Sequence, residues 1–392
     1  MKISVKCVIL FCLLLSILTG CKDMRDIDRI TFPFVLGIDY DEQSQKLKLY
    51  AQVSTLAAQA GGQSQGASKY GVLEGEGKTL REAMSDLGDH AQQYISWKQL
   101  IAVIFTDKMA KHGLYNELDT MSRMEQIHLN SYLILTTDDL KDLLGTSTVI
   151  ETGLPSNVIG VMLMSEQSTH TKAFTMKEFI VSTLTNEVEP VLPLLYIYRT
   201  EQSPQDKKIE IAYKGLGVFY DGKLVGWLDE EETGSFLFAS GVNQQGTVTV
   251  PYPEAESGEI SVSELTTKVK ETPILQGDTP GMTLKIDAIY DIYSYVGKKE
   301  IGMEAVKNIN TIVSEHIKKH VEHLVHKTQN ELKADIFGFG RKFYRKYPKY
   351  WKESEQHWDE IYPTIKVDVA VQAKLRDTGE LGNSFKHKLG KD

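Results

Sequence analysis

Cysteine is nearly absent from this chain. Its 392 residues include three cysteines, Cys7, Cys12 and Cys21, so residues 22–392 contain none. Small exported domains often replace a missing core with disulfides, and that solution is excluded for this part of the chain. A free thiol is excluded there as well.

Long apolar runs are also missing. The longest, Val8–Leu18, covers eleven residues, whereas a membrane-spanning helix needs about 20. We therefore expect no permanent membrane span, and we expect everything after Cys21 to lie on one side of a membrane.

An excess of positive charge is absent too. The chain has 44 basic and 53 acidic residues, a net charge of −9, which makes it a poor partner for nucleic acid. The His-Glu-x-x-His motif of zinc proteases does not occur. With 41% apolar and 25% charged residues, the composition is that of a globular protein, and the length indicates two or three domains.

The N-terminus has the layout of a signal peptide. Lys2 and Lys6 precede the apolar run, and Leu18-Thr19-Gly20-Cys21 follows it. These four residues resemble the bacterial lipobox, whose cysteine is diacylated before cleavage. We predict that residues 1–20 are removed and that Cys21 carries the lipid, with an incidental cysteine after a plain secretory signal as the alternative. More than one acyl chain would anchor the protein stably.

Strand and helix patterns are mixed without strict βαβ alternation, which favours an α+β protein over a doubly wound sheet. We expect several domains with mixed sheets and packed helices. They are an N-terminal α/β domain over residues 21–200, a middle hairpin-plus-helix domain over 201–257 and a C-terminal helix-on-sheet domain over 258–392.

Turn and capping signals place several elements. Thr79 and Thr175 are each followed by a glutamate three residues later, which predicts that each opens a helix. Asp221-Gly222 favours a type I′ turn and hence a β-hairpin. Asp229 is predicted to cap the helix that follows.

The C-terminal third is predicted to pack a long helix on a sheet. The helix extends from about Lys298 to Lys333, and its apolar residues recur every three or four positions: Val306, Ile309, Val313, Ile317, Val321 and Leu324. A segment rich in aromatic residues follows. The closing strand, Ile365–Ala373, alternates apolar and mostly polar residues.

Two patterns could indicate ligand binding. Gly77-Lys78-Thr79 resembles the end of a phosphate loop, but the required earlier glycine is Val72, and a helix cap explains Thr79 better. The second is a set of histidines on the long helix at positions i, i+4 and i+7, with acidic neighbours: His316, His320, His323, Glu315 and Glu322. Imidazoles from one helix still need an outside ligand to complete a zinc site. We favour solvated polar positions and predict no metal and no cofactor.

A basic cluster and an acidic cluster each allow two interpretations. Six cations interleave with aromatic residues: Arg341, Lys342, Arg345, Lys346, Lys349 and Lys352. They could contact anionic lipid headgroups, although buried aromatics with solvated basic ends are favoured. The carboxylates at 229–232 open a helix, so a catalytic pair there is disfavoured. No catalytic residue is predicted.

Four segments carry a family resemblance. They are, in chain order, Cys21–Ile27 with Phe34–Asp39, then Gly77–Ala83, then Gly217–Thr233, and finally Asp335–Gly340 continuing through Tyr347-Pro348, Trp351 and Trp358-Asp359. Together they resemble the C-subunit lipoproteins of bacterial spore germinant receptors, the Ger(x)C family. The usual aromatic residue after the lipid-bearing cysteine is Lys22 here.

The resemblance implies a three-domain mixed α/β protein that is lipid-anchored on the extracytoplasmic face of the spore inner membrane, in its outer leaflet. It implies assembly with an A subunit and a B subunit into a nutrient receptor required for germination, in which this chain is a non-enzymatic scaffold or coupling subunit. A solute-binding lipoprotein of an importer is the alternative, and an anchored cell-wall hydrolase is the enzyme hypothesis. The importer hypothesis predicts two similar lobes around a cleft.

Overall fold

The structure is a computed structural model. The residues it describes are 30–54, 70–91, 93–145, 158, 160, 162, 171–185, 187–198, 210–241, 247–255, 257–295 and 301–377.

A mixed sheet dominates the N-terminal half. The strands of this half are Ile30–Thr31 (β1), Pro33–Asp41 (β2), Lys46–Ser54 (β3), Tyr70–Gly77 (β4), Tyr94–Ile95 (β5), Ala102–Thr106 (β6), Tyr132–Thr136 (β7), Val191–Tyr198 (β8), Glu210–Tyr220 (β9) and Lys223–Leu228 (β10). Eight of them form one sheet in the order β10-β9-β8-β7-β6-β2-β3-β4, and β1 pairs separately with β5. The central strands β2, β6, β7 and β8 are parallel, and antiparallel hairpins extend both edges.

Helices cover both faces of this sheet. They are Leu80–Asp89 (α1), Asp107–His112 (α2), Tyr115–Ser122 (α3), Leu140–Gly145 (α4) and Met176–Thr185 (α5). Val103 and Phe105 of β6 join a core with α1, α2, α3 and α5, whereas Ala102 and Ile104 join a second core with α4. Because both faces are covered, β6 is apolar at consecutive positions.

A second sheet forms the C-terminal half. Its strands are Thr247–Pro251 (β11), Glu259–Gln276 (β12), Thr279–Ser294 (β13) and Lys366–Asp377 (β14), in the order β11-β12-β13-β14. Helix Glu230–Ala239 (α6) lies between the two sheets in the chain, and the helices of the C-terminal half are Met303–Lys327 (α7), Phe339–Lys346 (α8), Pro348–Ser354 (α9) and Trp358–Ile361 (α10). Strand β14 is parallel to β13, so the chain between them crosses over the sheet.

Helix α7 is that crossover, and it packs on β14 and α6. Five of the six residues of the predicted stripe are buried, namely Ile309, Val313, Ile317, Val321 and Leu324. The sixth, Val306, is half-buried. The helix starts at Met303, and a single wider turn, Thr328–Leu332, follows Lys327. Lys333 then adopts a left-handed φ of 51°, which ends the helix at the predicted place.

The predicted fold class, a multidomain α+β protein with mixed sheets and a long C-terminal helix on a sheet, is confirmed. The hairpin turn is confirmed as well, because Asp221 and Gly222 have φ values of 47° and 70°. That hairpin, β9–β10, is hydrogen-bonded to the edge of the N-terminal sheet. The domain boundaries at 200/201 and 257/258 stay a prediction, since sheet membership does not measure independent folding.

The packing of β4 against α1 generates a stability test. A Cβ added at Gly77 would lie 2.4 Å from the backbone nitrogen of Ala83, whereas one added at Gly88, in the exposed part of α1, would meet nothing within 4 Å. Gly77→Ala should therefore destabilise the protein by about 1–3 kcal/mol through overpacking. Gly88→Ala should stabilise it by up to about 1 kcal/mol, because alanine favours the helix. Urea unfolding measures both, and equal effects of the two substitutions would contradict this packing.

Candidate functional site

The predicted lipid-bearing residue, Cys21, and the predicted signal peptide, residues 1–20, lie outside the described residues. Within the described part of the chain, no helix is long and apolar enough to cross a membrane.

The segment Gly77-Lys78-Thr79 is a helix start. The Thr79 hydroxyl accepts a hydrogen bond from the Glu82 backbone N–H at 3.2 Å, and the Glu82 carboxylate accepts one from the Lys78 N–H at 2.9 Å. The Glu82 carboxylate and the Thr79 hydroxyl thus occupy N–H groups that a phosphate would need. The capping interpretation of Thr79 is confirmed.

One pattern escaped the sequence analysis. Gly62-Gln63-Ser64-Gln65-Gly66 fits the Gly-x-Ser-x-Gly spacing of hydrolase nucleophiles, and it lies outside the described residues. That motif requires a strand before the serine and a helix after it. Here the preceding strand β3 and the following strand β4 are antiparallel partners. The first described element after the pattern is therefore a strand, β4, and not a helix.

The two halves of the molecule meet where β10 and α6 contact the end of α7 and the residues after it. We call this contact, between residues 226–236 and residues 327–340, the junction. The Lys327 ammonium donates hydrogen bonds to both carboxylate oxygens of Glu232, at 2.7 and 2.8 Å, and to the carbonyl oxygen of Trp227 at 2.9 Å. The side chains of Lys327 and Glu232 are only 20% and 11% exposed.

Glu232 has a second role in the junction. Its carboxylate accepts the backbone N–H of Asp229 at 2.9 Å, while the Asp229 carboxylate accepts the N–H of Glu232 at 2.9 Å. This is a complete capping box, placed where the helix dipole favours negative charge. The predicted cap Asp229 is confirmed, and Glu232 both starts α6 and binds α7.

Asp335 organises the other side of the junction. Its fully buried carboxylate accepts hydrogen bonds from the N–H groups of Phe339 at 3.0 Å and Gly340 at 2.8 Å, and from the indole of Trp358 at 3.0 Å. Its carbonyl oxygen accepts the N–H of Glu189, beside β8, at 2.9 Å. Burial raises the pKa of Asp335 to about 6, against the lowering effect of these donors.

The aromatic segment belongs to the core. Phe339, Phe343, Trp351 and Trp358 are buried, and the rings of Trp351 and Trp358 meet edge to face with centroids 5.0 Å apart. Tyr344, which is 49% exposed, is the exception. The favoured interpretation of this segment is confirmed.

Half of the interleaved cations are engaged within the chain. Arg341 pairs with Glu187 at 3.4 Å, Lys342 pairs with Glu271, and Lys346 donates to the carbonyl oxygen of Pro273 at 2.8 Å. These partners weaken the case for a basic surface that contacts lipid headgroups.

A cavity of about 170 Å³ opens beside the junction, between the hairpin turn and the Asp335 region. Burial and the nearby carboxylates of Asp335 and Asp221 raise the pKa of Glu189, in its wall, to about 8. Tyr220 donates to Asp359 at 3.1 Å, and burial followed by that carboxylate raises the pKa of Tyr220 to about 12. Ser182 and Thr183 line the cavity, but its described lining includes no histidine to activate them.

Two of the three predicted histidines come together with a residue the sequence did not suggest. The rings of His316 and His320 lie 4.2 Å apart, and His320 Nδ1 lies 2.8 Å from the Glu231 carboxylate of α6. Burial, with the neighbouring charges of His320 and Lys319, lowers the pKa of His316 to about 4. His323 instead faces Glu232, at 4.0 Å. Glu231 was missed because it belongs to another element, 85 positions earlier than His316.

Models of known protein families match nearly all of the described chain. A family model described as "Spore germination protein N-terminal domain" matches residues 23–197, and one described as "Spore germination B3/ GerAC like, C-terminal" matches residues 214–379. The chain belongs to the Ger(x)C family.

Its similarity to individual Ger(x)C relatives extends over full-length chains. It is 23% identical to spore germination protein KC of Bacillus subtilis (strain 168), covering 99% of both chains. It is 22% identical to spore germination protein B3 of the same organism, over 97% of this chain and all of the relative. The crystal structure of the GerBC protein has the same fold, with a TM-score of 0.55 and 18% identity over 87% of this chain and 96% of that one.

Two of the segments that carried the Ger(x)C resemblance meet in space. Tyr220, in Gly217–Thr233, donates a hydrogen bond to Asp359, in the last segment, at 3.1 Å. The two sheets that they join differ in strand number and order. The similar lobes required by the importer hypothesis are therefore not found among the described residues.

The raised pKa of Glu189 has a pH signature. Its folded-state pKa, about 8, lies above the 4.5 of a free glutamate, so folding takes up a proton between these values and stability falls as the pH rises through them. Glu189→Gln should match the unmodified protein below about pH 4 and exceed its free energy of unfolding by about 1–3 kcal/mol near pH 9.

Urea unfolding across this pH range provides the measurement. Glu353→Gln, at an exposed position of α9, controls for the loss of one charge. A Glu189→Gln profile parallel to that of the unmodified protein would show that Glu189 ionises freely.

Proposed function

We propose that this chain is the C subunit of a nutrient germinant receptor in the spore inner membrane and is required for germination. The observation that carries the proposal is the match of two family models to residues 23–197 and 214–379, together with full-length relatives named as spore germination proteins. The receptor would contain an A subunit and a B subunit as its other components.

A non-enzymatic scaffold or coupling role fits the junction best. Its polar groups are consumed by contacts within the chain: Glu232 by Lys327 and the α6 cap, and Asp335 by three N–H donors. Groups held in this way stabilise one arrangement of the two sheets and are not available for proton transfer to a substrate. A movement of one receptor subunit would then be transmitted to another through this chain, which acts as a rigid body.

Anchoring through Cys21 is part of the same proposal. The lipobox-like residues 18–21 and the lack of any apolar run of spanning length support it. The protein would sit on the extracytoplasmic face, held by acyl chains in the outer leaflet.

Cys21→Ala should abolish fatty-acid incorporation and leave either an uncleaved precursor or a protein released from the membrane. Metabolic labelling with a radioactive fatty acid, followed by fractionation, measures both. Cys12→Ala is the matched control, because it removes a thiol from the signal peptide and should leave labelling unchanged. Normal labelling of Cys21→Ala would refute the lipid assignment.

Breaking the junction should mimic loss of the subunit. Lys327→Met leaves Glu232 without its main partner, and we expect it to cost about 2–4 kcal/mol, to lower the amount of protein in spore membranes and to impair germination through its own receptor only. Lys318→Met on the same helix is the control. Its 3.7 Å pair with Glu322 is about half exposed, so its effect should stay within about 0.5 kcal/mol.

Immunoblots of spore membranes, melting temperatures and germination assays with a gene deletion as reference separate the effects. If Lys327→Met accumulates and melts normally but fails to germinate, the junction is a partner surface. If the gene deletion itself leaves every nutrient response intact, the receptor proposal fails.

A further inference from the structure

A second cluster of polar side chains lies on the solvent side of the contact between α6 and α7. His316 and His320 are one helical turn apart on α7, and Glu231 reaches them from the first turn of α6. One ligand atom from each residue lies within 4.8 Å of the others. None of the three takes part in the Lys327 or Asp335 contacts described above.

We propose that Glu231, His316 and His320 form a binding site for a zinc-like transition-metal ion. Two imidazole nitrogens and one carboxylate oxygen are a donor set that suits Zn²⁺, with water as the fourth ligand. Mg²⁺ and Ca²⁺ prefer oxygen donors and are disfavoured by the two imidazoles.

The distances are close to those a metal requires. Bonds of about 2.0–2.1 Å in a tetrahedron place ligand atoms about 3.3 Å apart. His320 Nδ1 and Glu231 Oε1 are already 2.8 Å apart, and the largest separation in the cluster, 4.8 Å at most, closes with small side-chain rotations.

The helices that carry the ligands are held in place. Helix α7 is fixed by its buried stripe on the second sheet, and the residue next to Glu231 is Glu232, which Lys327 binds. The ligands therefore meet without ordering a loop, which reduces the entropy cost of binding. Glu231 is 65% exposed and His320 is 25% exposed, so an ion and its water can reach the site from solvent.

A bound ion would add a second link between α6 and α7, beside the ion pair of Lys327 with Glu232. Because the unfolded chain lacks the assembled site, the metal binds only the folded state and stabilises it. Once the free metal concentration exceeds the Kd, the free energy of unfolding rises with the logarithm of that concentration. The site would make the attachment of the two halves responsive to zinc.

The test uses the full chain purified in detergent and stripped of metal with a chelator. Calorimetric titration with ZnCl2 should give one equivalent bound and a rise in melting temperature, whereas MgCl2 should give neither. His316→Gln, His320→Gln and Glu231→Gln should each weaken zinc binding by about tenfold or more. His323→Gln is the matched control, because that residue lies on the same helix but faces Glu232, and it should bind as the unmodified protein does.

Co²⁺ provides a direct readout of the ligands, because tetrahedral coordination gives visible absorption bands. These bands should appear in the unmodified protein and in His323→Gln, and they should be lost in His320→Gln. If His316→Gln misfolds, as judged by its metal-free melting curve, the exposed Glu231→Gln tests the same site. Zinc binding that persists unchanged in His320→Gln and Glu231→Gln, or no zinc binding by the unmodified protein, would overturn the proposal.

Discussion

The ion pair between Glu232 and Lys327 is the interaction on which the architecture depends. A carboxylate in the first turn of α6 is favoured by that helix's own N–H groups, and this places it where the last turn of α7 presents an ammonium group. Because both side chains are largely shielded from solvent, neither charge can lose its partner without a large desolvation cost. The pair therefore specifies how the hairpin and α6 meet the C-terminal helix.

Asp335, a few residues after Lys327, is a second buried carboxylate whose charge is compensated by groups of the chain itself. A buried carboxylate is tolerated there because three N–H groups converge on it. Its backbone carbonyl oxygen at the same time binds Glu189 next to the N-terminal sheet. The apolar side chains around these two sites belong to one continuous cluster that extends from the first sheet to the second. The polar contacts thus select one arrangement of a core that apolar packing alone would leave less specific.

The elements that the sequence predicted well are those whose signals lie within a few neighbouring residues. Thr79, Asp221-Gly222 and Asp229 act within a few residues of themselves, and the stripe of α7 repeats with the helical period, so all could be recognised without knowing the fold. Contacts across long separations could not. Strand β4 was not predicted, because Tyr70–Gly77 contains three glycines, which give no clear alternation. Glu231 gave no sign of meeting His320, because only the packing of α6 on α7 brings them together.

The parallel pairing of β13 with β14 affects how the protein is made. Met282 pairs with Val367 and Ile286 with Val371, so β13 can complete its pairing only after a strand that is synthesised more than 80 residues later. Until then its hydrogen-bonding edge, sixteen residues long, is open to strands of other chains. Such distant pairing also slows folding. A chain that ends just before residue 366 would keep α7 but leave this edge uncovered, so truncation at that point should promote aggregation.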